Sequence, residues 1–203
     1  MLVNEIFSSI QGEGSFLGLP CIFVRFQGCN LNCNFCDSQN TWKTDSSEAA
    51  DISIDALVEA INVISYTKGI KLVILTGGEP CMQKDLQSLV DKLLVADYKV
   101  SIETNGTKET PKGVHWITAS PKDAAGYMIH PACHPNELKY VVTEDFNADK
   151  VITEGIRQAY AGKIWLQPDG YKMPAMWQKC YDIAMKDARL RVGVQLHKIM
   201  GVK

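Results

Sequence analysis

Short apolar runs that alternate with amphipathic helical stretches constrain this chain more than any other feature. Residues 21–27 (CIFVRFQ) are rich in β-branched and aromatic side chains and read as a first core strand. Ser53 reads as an N-cap with Asp55 in the first turn, and Ile54, Leu57, Val58, Ile61 and Ile64 recur at helical spacing, predicting a helix over 53–67. KLVILT (71–76) is nearly continuous in apolar residues, as a buried parallel strand demands. A second helix is expected over 84–96, with Leu86, Leu89, Val90, Leu93 and Leu94 on one face. Further strands are expected at 98–104, 115–120, 137–142, 163–168 and 189–196, with helices at 148–160 and 174–188. Residues 1–20 read as a polar, glycine-rich stretch around SIQGEG, and HKIMGVK as a tail. Strands alternating with helices predict an α/β fold with a mostly parallel sheet. No repeat or linker interrupts the 203 residues, so a single domain spanning 1–203 is expected.

In such sheets ligands gather beyond the carboxyl ends of the strands. The unusual polar stretches of this chain fall there. They are the cysteine loop, Gly77-Gly78-Glu79-Pro80, Glu103-Thr104-Asn105-Gly106, Ser120-Pro121-Lys122, Gln167-Pro168-Asp169 and His197-Lys198. Gly77 and Gly78 lack side chains, which would let backbone approach a ligand closely. A net charge of -2 gives no global basic field, so nonspecific nucleic-acid binding is not expected. No apolar run reaches the length of a membrane span, and no signal peptide is visible. Seven cysteines without an export signal point to a reducing, cytoplasmic setting.

The cysteine loop, GCNLNCNFCDS, sets Cys29, Cys33 and Cys36 at C-x3-C-x2-C spacing. Three thiolates are one ligand short of a closed Fe–S or zinc site. A structural zinc site pairs cysteines in two knuckles, and no second C-x2-C exists. Inert buried thiols fit poorly with such density in a polar loop. A cluster with one open coordination position fits best. His130, Cys133 and His134 allow a second metal only as a minor reading, since their spacing matches no established ligand pattern. Cys21, Cys81 and Cys180 are expected to be small core residues, and His115 a strand histidine.

C-x3-C-x2-C resembles the signature of the radical S-adenosylmethionine superfamily. That resemblance implies a 4Fe–4S cluster whose open iron takes the amino and carboxylate groups of S-adenosylmethionine. One electron then releases a 5′-deoxyadenosyl radical. Phe35 matches an aromatic placed near the adenine. More narrowly, SIQGEG, residues 23–38, TGGEP, IETNGT, ASPK, LQP and QLHK occur in the order found in the 7-carboxy-7-deazaguanine synthase family of queuosine and 7-deazapurine biosynthesis. The match covers nearly the whole chain.

This resemblance implies an incomplete, modified (β/α) barrel and a lyase. Its reaction would turn 6-carboxy-5,6,7,8-tetrahydropterin into 7-carboxy-7-deazaguanine by ring contraction with loss of ammonia, regenerating S-adenosylmethionine. It implies substrate contacts at Ile10, Gln11, Gly12, Glu13, Arg25, Thr76, His197 and Lys203, with Arg25 on the substrate carboxylate. It implies cofactor contacts at Phe35, Gly78, Glu79, Glu103, Thr104, Asn105, Ser120, Pro121 and Lys122, and at Gln167, Pro168, Asp169 and Gly170. Asp169 departs from the QPM common in the family. Ser38 stands where the family often has threonine and would give its oxygen to Mg²⁺. A flavodoxin electron donor and a homodimer are the implied partners. A glycyl-radical activating enzyme shares the cysteine motif but is disfavoured by SIQGEG and QLHK. A non-enzymatic Fe–S or zinc module would need a fourth protein ligand.

Overall fold

The computed structural model describes residues 1–45, 47–170 and 174–203. In chain order the elements are β1 (Leu2–Ile10), β2 (Pro20–Phe26), β3 (Ala50–Asp51), α1 (Ile54–Lys68), β4 (Leu72–Gly77), α2 (Leu86–Val95), β5 (Lys99–Thr104), β6 (Trp116–Ala119), β7 (Glu137–Val142), α3 (Ala148–Val151), α4 (Glu154–Ala159), β8 (Ile164–Pro168), α5 (Ala175–Ala184), β9 (Leu190–Val192) and α6 (Leu196–Met200). They form one sheet in the order β3-β1-β2-β4-β5-β6-β7-β8-β9. Neighbours from β2 through β9 run parallel, whereas β1 is antiparallel to both β2 and β3. The sheet does not close: β3 and β9 are its two ends.

Local chemistry accounts for the elements that the sequence makes plain. The Ser53 hydroxyl accepts from Ala56 N and starts α1, and Gly69, at φ 68°, ends it in the left-handed region. Residue alternation then sorts each strand into two faces. Ile22, Val24, Phe26, Val73, Leu75, Val100 and Ile102 pack against Leu57 and Ile61 of α1 and Leu89, Val90 and Leu93 of α2. Further along, Ile117, Leu138, Tyr140, Val142, Ile164 and Leu166 pack with Phe146, Ile152 and Cys180 of α5. The other phase of the same strands carries Phe23, Arg25, Thr76, Glu103, Thr118, Lys139, Val141 and Gln167, which line a cavity.

Three sequence expectations are corrected. The strand at 21–27 is not the first of the sheet, because Leu2–Ile10 within the polar stretch pairs along β2 from Val3↔Phe26 to Ile10↔Pro20. Polar Asn4, Glu5, Ser8 and Ser9 on this half-buried strand hide its alternation. The helix expected over 148–160 breaks into α3 and α4, since Ile152 turns into the core and Thr153 caps a new helix by accepting from Ile156 N. The last strand stops at Val192, and the tail folds into α6.

Candidate cofactor and substrate site

The carboxyl ends of the parallel strands open into a cavity of about 630 Å³, within the range of small-molecule sites. Its wall begins where β2 runs into the cysteine loop. Gln27 is fully buried there, and its amide donates to the carbonyls of Asn40 (2.8 Å) and Lys43 (2.7 Å) while accepting from Asn4 Nδ2 (2.9 Å). Gly28 N donates to Thr41 O at 2.7 Å and Cys29 N to Trp42 O at 3.1 Å. The loop is thus clamped at its base, and Cys29, Cys33 and Cys36 all reach the cavity wall. Burial pushes the thiols of Cys29 and Cys33 up, and the nearby charge of Lys122 pulls Cys33 partly back.

Among the described residues, no three His, Cys, Asp or Glu side chains meet closely enough to hold a single metal ion. A mononuclear zinc site therefore does not fit the loop. A cluster makes a different demand, one thiolate per iron, which spreads the sulfurs wider than donors around one ion. Three thiols on one wall beside open volume meet that demand. The minor reading of a second metal also fails. Cys133 lies in the second core, His134 is exposed, and His130 Nδ1 accepts from Ala132 N at 3.1 Å.

The two glycines at the end of β4 line the cavity and also serve the chain's own packing. A Cβ on Gly77 would sit 2.3 Å from Phe26 N and O, and Gly77 holds φ at +124°. A Cβ on Gly78 would sit 2.2 Å from Gly28 O. The close approach is to the end of β2 and the start of the cysteine loop, where Gly78 N donates to Phe26 O (3.0 Å) and Glu79 N to Gly28 O (2.8 Å). Gly78→Ala should therefore push the loop off its seat, costing at least about 1–3 kcal/mol. Iron bound per chain after reconstitution should fall together with the thermal midpoint. Full iron content with an unchanged midpoint would remove this contact from the site.

Glu79 stands behind the wall. It is fully buried, and its carboxylate accepts from Thr104 Oγ1 (2.7 Å), Asn105 N (2.7 Å) and Cys81 N (3.0 Å). It ties the end of β4 to the end of β5. Asn105 in turn donates from Nδ2 to Asn30 Oδ1 in the cysteine loop at 2.9 Å. Next along the sheet, Ser120 Oγ donates to Lys139 O at 2.7 Å, and Lys122 Nζ lies 6.0 Å from the Phe35 ring centroid. Burial, then repulsion from Lys139, lowers the Lys122 pKa to about 8.

Across the cavity, Arg25 Nε donates to Glu5 Oε1 at 2.8 Å, its Nη1 lies 3.4 Å from Ser38 Oγ, and its guanidinium sits 5.8 Å from the Phe7 ring. Glu103 accepts from Gln11 Nε2 (2.7 Å) and Thr76 Oγ1 (2.9 Å). The N-terminal loop and the C-terminal segment then roof the space. Leu196 N donates to Gly12 O at 2.9 Å, and a Cβ on Gly12 would strike His197 Nδ1 at 2.0 Å. Gln195 Nε2 bridges Glu13 Oε1 (2.8 Å) and Asp37 Oδ2 (3.0 Å), and Lys198 Nζ also meets Asp37 at 2.7 Å. Glu13 pairs with Lys139, and Lys203 pairs with Glu5.

Most of the residues expected at the site share this one cavity: Cys29, Cys33, Cys36, Phe35, Ser38, Ile10, Gln11, Glu13, Arg25, Thr76, Gly78, Glu103, Thr104, Asn105, Ser120, Lys122, Gln167, Pro168, Gly170, His197 and Lys203. Gly12, Glu79, Pro121 and Asp169 are not on its wall. Gly12 lies under His197, and Asp169 is buried with its N–H on Val142 O at 3.1 Å. The sequence reading gave no role to Phe7, Trp42, Lys139 or Gln195, which also line the cavity. For Lys139 a signal was present: a charge at an odd position of ELKYVV, opposite in phase to Leu138 and Tyr140.

Residues 23–122 match the model of the radical SAM superfamily. The fold aligns with the crystal structure of QueE from Escherichia coli over 97% of this chain and 94% of that one, at a TM-score of 0.75 and 31% identity. The 7-carboxy-7-deazaguanine synthase of Aquifex aeolicus is 35% identical across 99% of this chain and 94% of its own length. The chain belongs to the 7-carboxy-7-deazaguanine synthase family. A further 7-carboxy-7-deazaguanine synthase, from Bacteroides thetaiotaomicron, is 35% identical over 99% of this chain and 98% of its own. The open, mostly parallel sheet is thus the expected radical SAM architecture. Membership implies a 4Fe–4S cluster and S-adenosylmethionine, and the three-thiol wall fits them.

Proposed function

We propose that this protein converts 6-carboxy-5,6,7,8-tetrahydropterin to 7-carboxy-7-deazaguanine with loss of ammonia. The observation that carries this reading is the shared cavity. It sets three cysteine thiols against a guanidinium, a hydroxyl and the carboxylates of Glu13, Asp37 and Glu103, in a chain similar to the synthases along its full length. A continuous sheet supports the reading of a single domain.

Cys29, Cys33 and Cys36 would hold the cluster. Phe35, Gly78, Thr104, Asn105, Ser120, Lys122, Gln167, Pro168 and Gly170 would bind S-adenosylmethionine, with Glu79, Pro121 and Asp169 supporting them from behind. When bound, these cofactors would supply the radical chemistry needed to remove a hydrogen atom from the substrate. The chain's own groups bind and orient. Arg25 already has one face on Glu5, which leaves Nη1 and Nη2 to grip a carboxylate. Ser38 Oγ lies at the edge of that grip and would give its oxygen to Mg²⁺, a hard cation suited to sharing the substrate carboxylate. Ile10, Gln11, Glu13, Thr76, Glu103 and His197 surround the remaining space, and burial keeps the His197 imidazole below its usual pKa. The roof of Gln195, Lys198 and Lys203 would narrow the access of water and so limit side reactions of a radical.

A flavodoxin as the one-electron donor, a homodimeric assembly and a cytoplasmic setting belong to the same proposal. Seven free cysteines agree with a reducing compartment, and no helix among the described residues is long and apolar enough to cross a membrane. Similarity along the full length does not favour a glycyl-radical activator or a scaffold module. The test is anaerobic reconstitution with iron and sulfide, followed by reductant, S-adenosylmethionine and the pterin. Formation of the deazaguanine acid is expected. An intact cluster that yields none would overturn the proposal.

A further inference from the structure

Lys139 is a buried ammonium with no role in the assignments above. It lies on β7 in the phase that faces the cavity, and its side chain is 15% exposed. The hydroxyl of Ser120 holds its carbonyl at 2.7 Å, which fixes the strand beneath it. Its Nζ donates to Glu13 Oε2, and among the described residues no other side chain or carbonyl takes a hydrogen bond from it. An ammonium carries three N–H donors. Two therefore remain for the cavity. Burial alone would push this group toward neutrality, but the Glu13 carboxylate outweighs it, and Lys139 stays charged with its pKa raised. A buried cation with unspent donors is costly until an acceptor arrives.

Glu13 stands beside it with a matching character. One oxygen takes Lys139 and the other takes Gln195 Nε2 at 2.8 Å, and each keeps further acceptor capacity. Side by side, the pair presents a donor followed by two acceptors. A pterin shows the complementary order along one edge: the 4-oxo acceptor, the N3–H donor and the 2-amino donor. Arg25 lines the same cavity from β2, four strands along the sheet from β7, where a 6-carboxylate would be held.

Building on the function proposed above, we infer that Lys139 is a specificity-determining residue that donates to the 4-oxo oxygen of the pterin while Glu13 accepts from N3–H and the 2-amino group. Lys139 thus selects oxo over amino at position 4. An amino group there would set a donor against an ammonium and leave both unsatisfied.

The experiment measures equilibrium binding to the full chain loaded with cluster and S-adenosylmethionine, without reductant. The ligands are 6-carboxytetrahydropterin and its 2,4-diamino counterpart. The unmodified protein should prefer the oxo ligand by about tenfold or more. Lys139→Met should weaken oxo binding by a similar factor and reduce the preference several-fold, the remainder being set by Glu13, which meets an unprotonated N3 in the diamino ligand, whereas Lys139→Arg should keep the full preference. The electron paramagnetic resonance change on adding S-adenosylmethionine should persist in each variant, marking the cofactor side as intact. A Met variant that keeps the full preference overturns the inference. So does equal affinity for both ligands in the unmodified protein, a measurement that needs no variant to fold. If the unmodified protein binds neither ligand, the substrate reading itself falls, and this assignment falls with it.

Discussion

Cys33→Ala is expected to abolish cleavage of S-adenosylmethionine altogether. Of the three thiols, Cys33 is the most enclosed, at 8% exposure, and its carbonyl accepts Cys36 N at 2.9 Å to form the turn that aims both sulfurs. Alanine keeps that backbone turn and removes only the sulfur. Loss of function would therefore report ligation and not folding. A cluster left with two protein thiolates lacks half of a four-ligand set. The variant should retain the thermal midpoint of the cluster-free protein, bind little iron after reconstitution and yield no 5′-deoxyadenosine under dithionite. Cys29→Ala and Cys36→Ala should behave alike. Deoxyadenosine formation at even a tenth of the normal rate in any of the three would refute the ligand assignment.

Glu79→Leu is expected to have the largest effect on stability. Three donors converge on this carboxylate, two of them backbone N–H groups that cannot turn elsewhere. Leucine fills similar volume but accepts nothing. Each orphaned donor costs about 1–3 kcal/mol, so the loss approaches the whole stability of an ordinary domain, about 5–15 kcal/mol. The thermal midpoint should drop by roughly 10 °C or more, since 1 kcal/mol corresponds to about 2–4 °C at this size. Glu79→Gln keeps one acceptor oxygen and should fall between the two. A leucine variant that melts within about 2 °C of the parent would show that these hydrogen bonds contribute little.

Much of this architecture is legible in the sequence because the parallel strands are short and apolar and the helices amphipathic. KLVILT reads as β4, and Ser53 as the cap of α1. The cysteine spacing and the polar strand ends likewise locate the cavity, since a parallel sheet leaves its carboxyl ends free for ligands. What stayed hidden depends on tertiary contact. β1 becomes a strand only because β2 pairs along it, and its own polar residues carry no strong signal. Gly77 and Gly78 read as room for a ligand, and nothing in the sequence shows that Phe26 and Gly28 also press against them. Gln27 and Gln195 are ordinary glutamines in the sequence. Their bridging roles come from segments far along the chain, the 40–43 turn for one and residues 13 and 37 for the other.

The roof over the cavity has a consequence for how the protein is made. The bond between Glu13 and Gln195 joins residues 182 positions apart, whereas β1 and β2 meet across a short turn. Closing so large a loop is entropically the later event, and on the ribosome Gln195 emerges long after Cys36. Every newly made copy therefore passes through a period in which its three thiols are formed, clustered and uncovered. Iron has its easiest access during that interval, and so does oxygen.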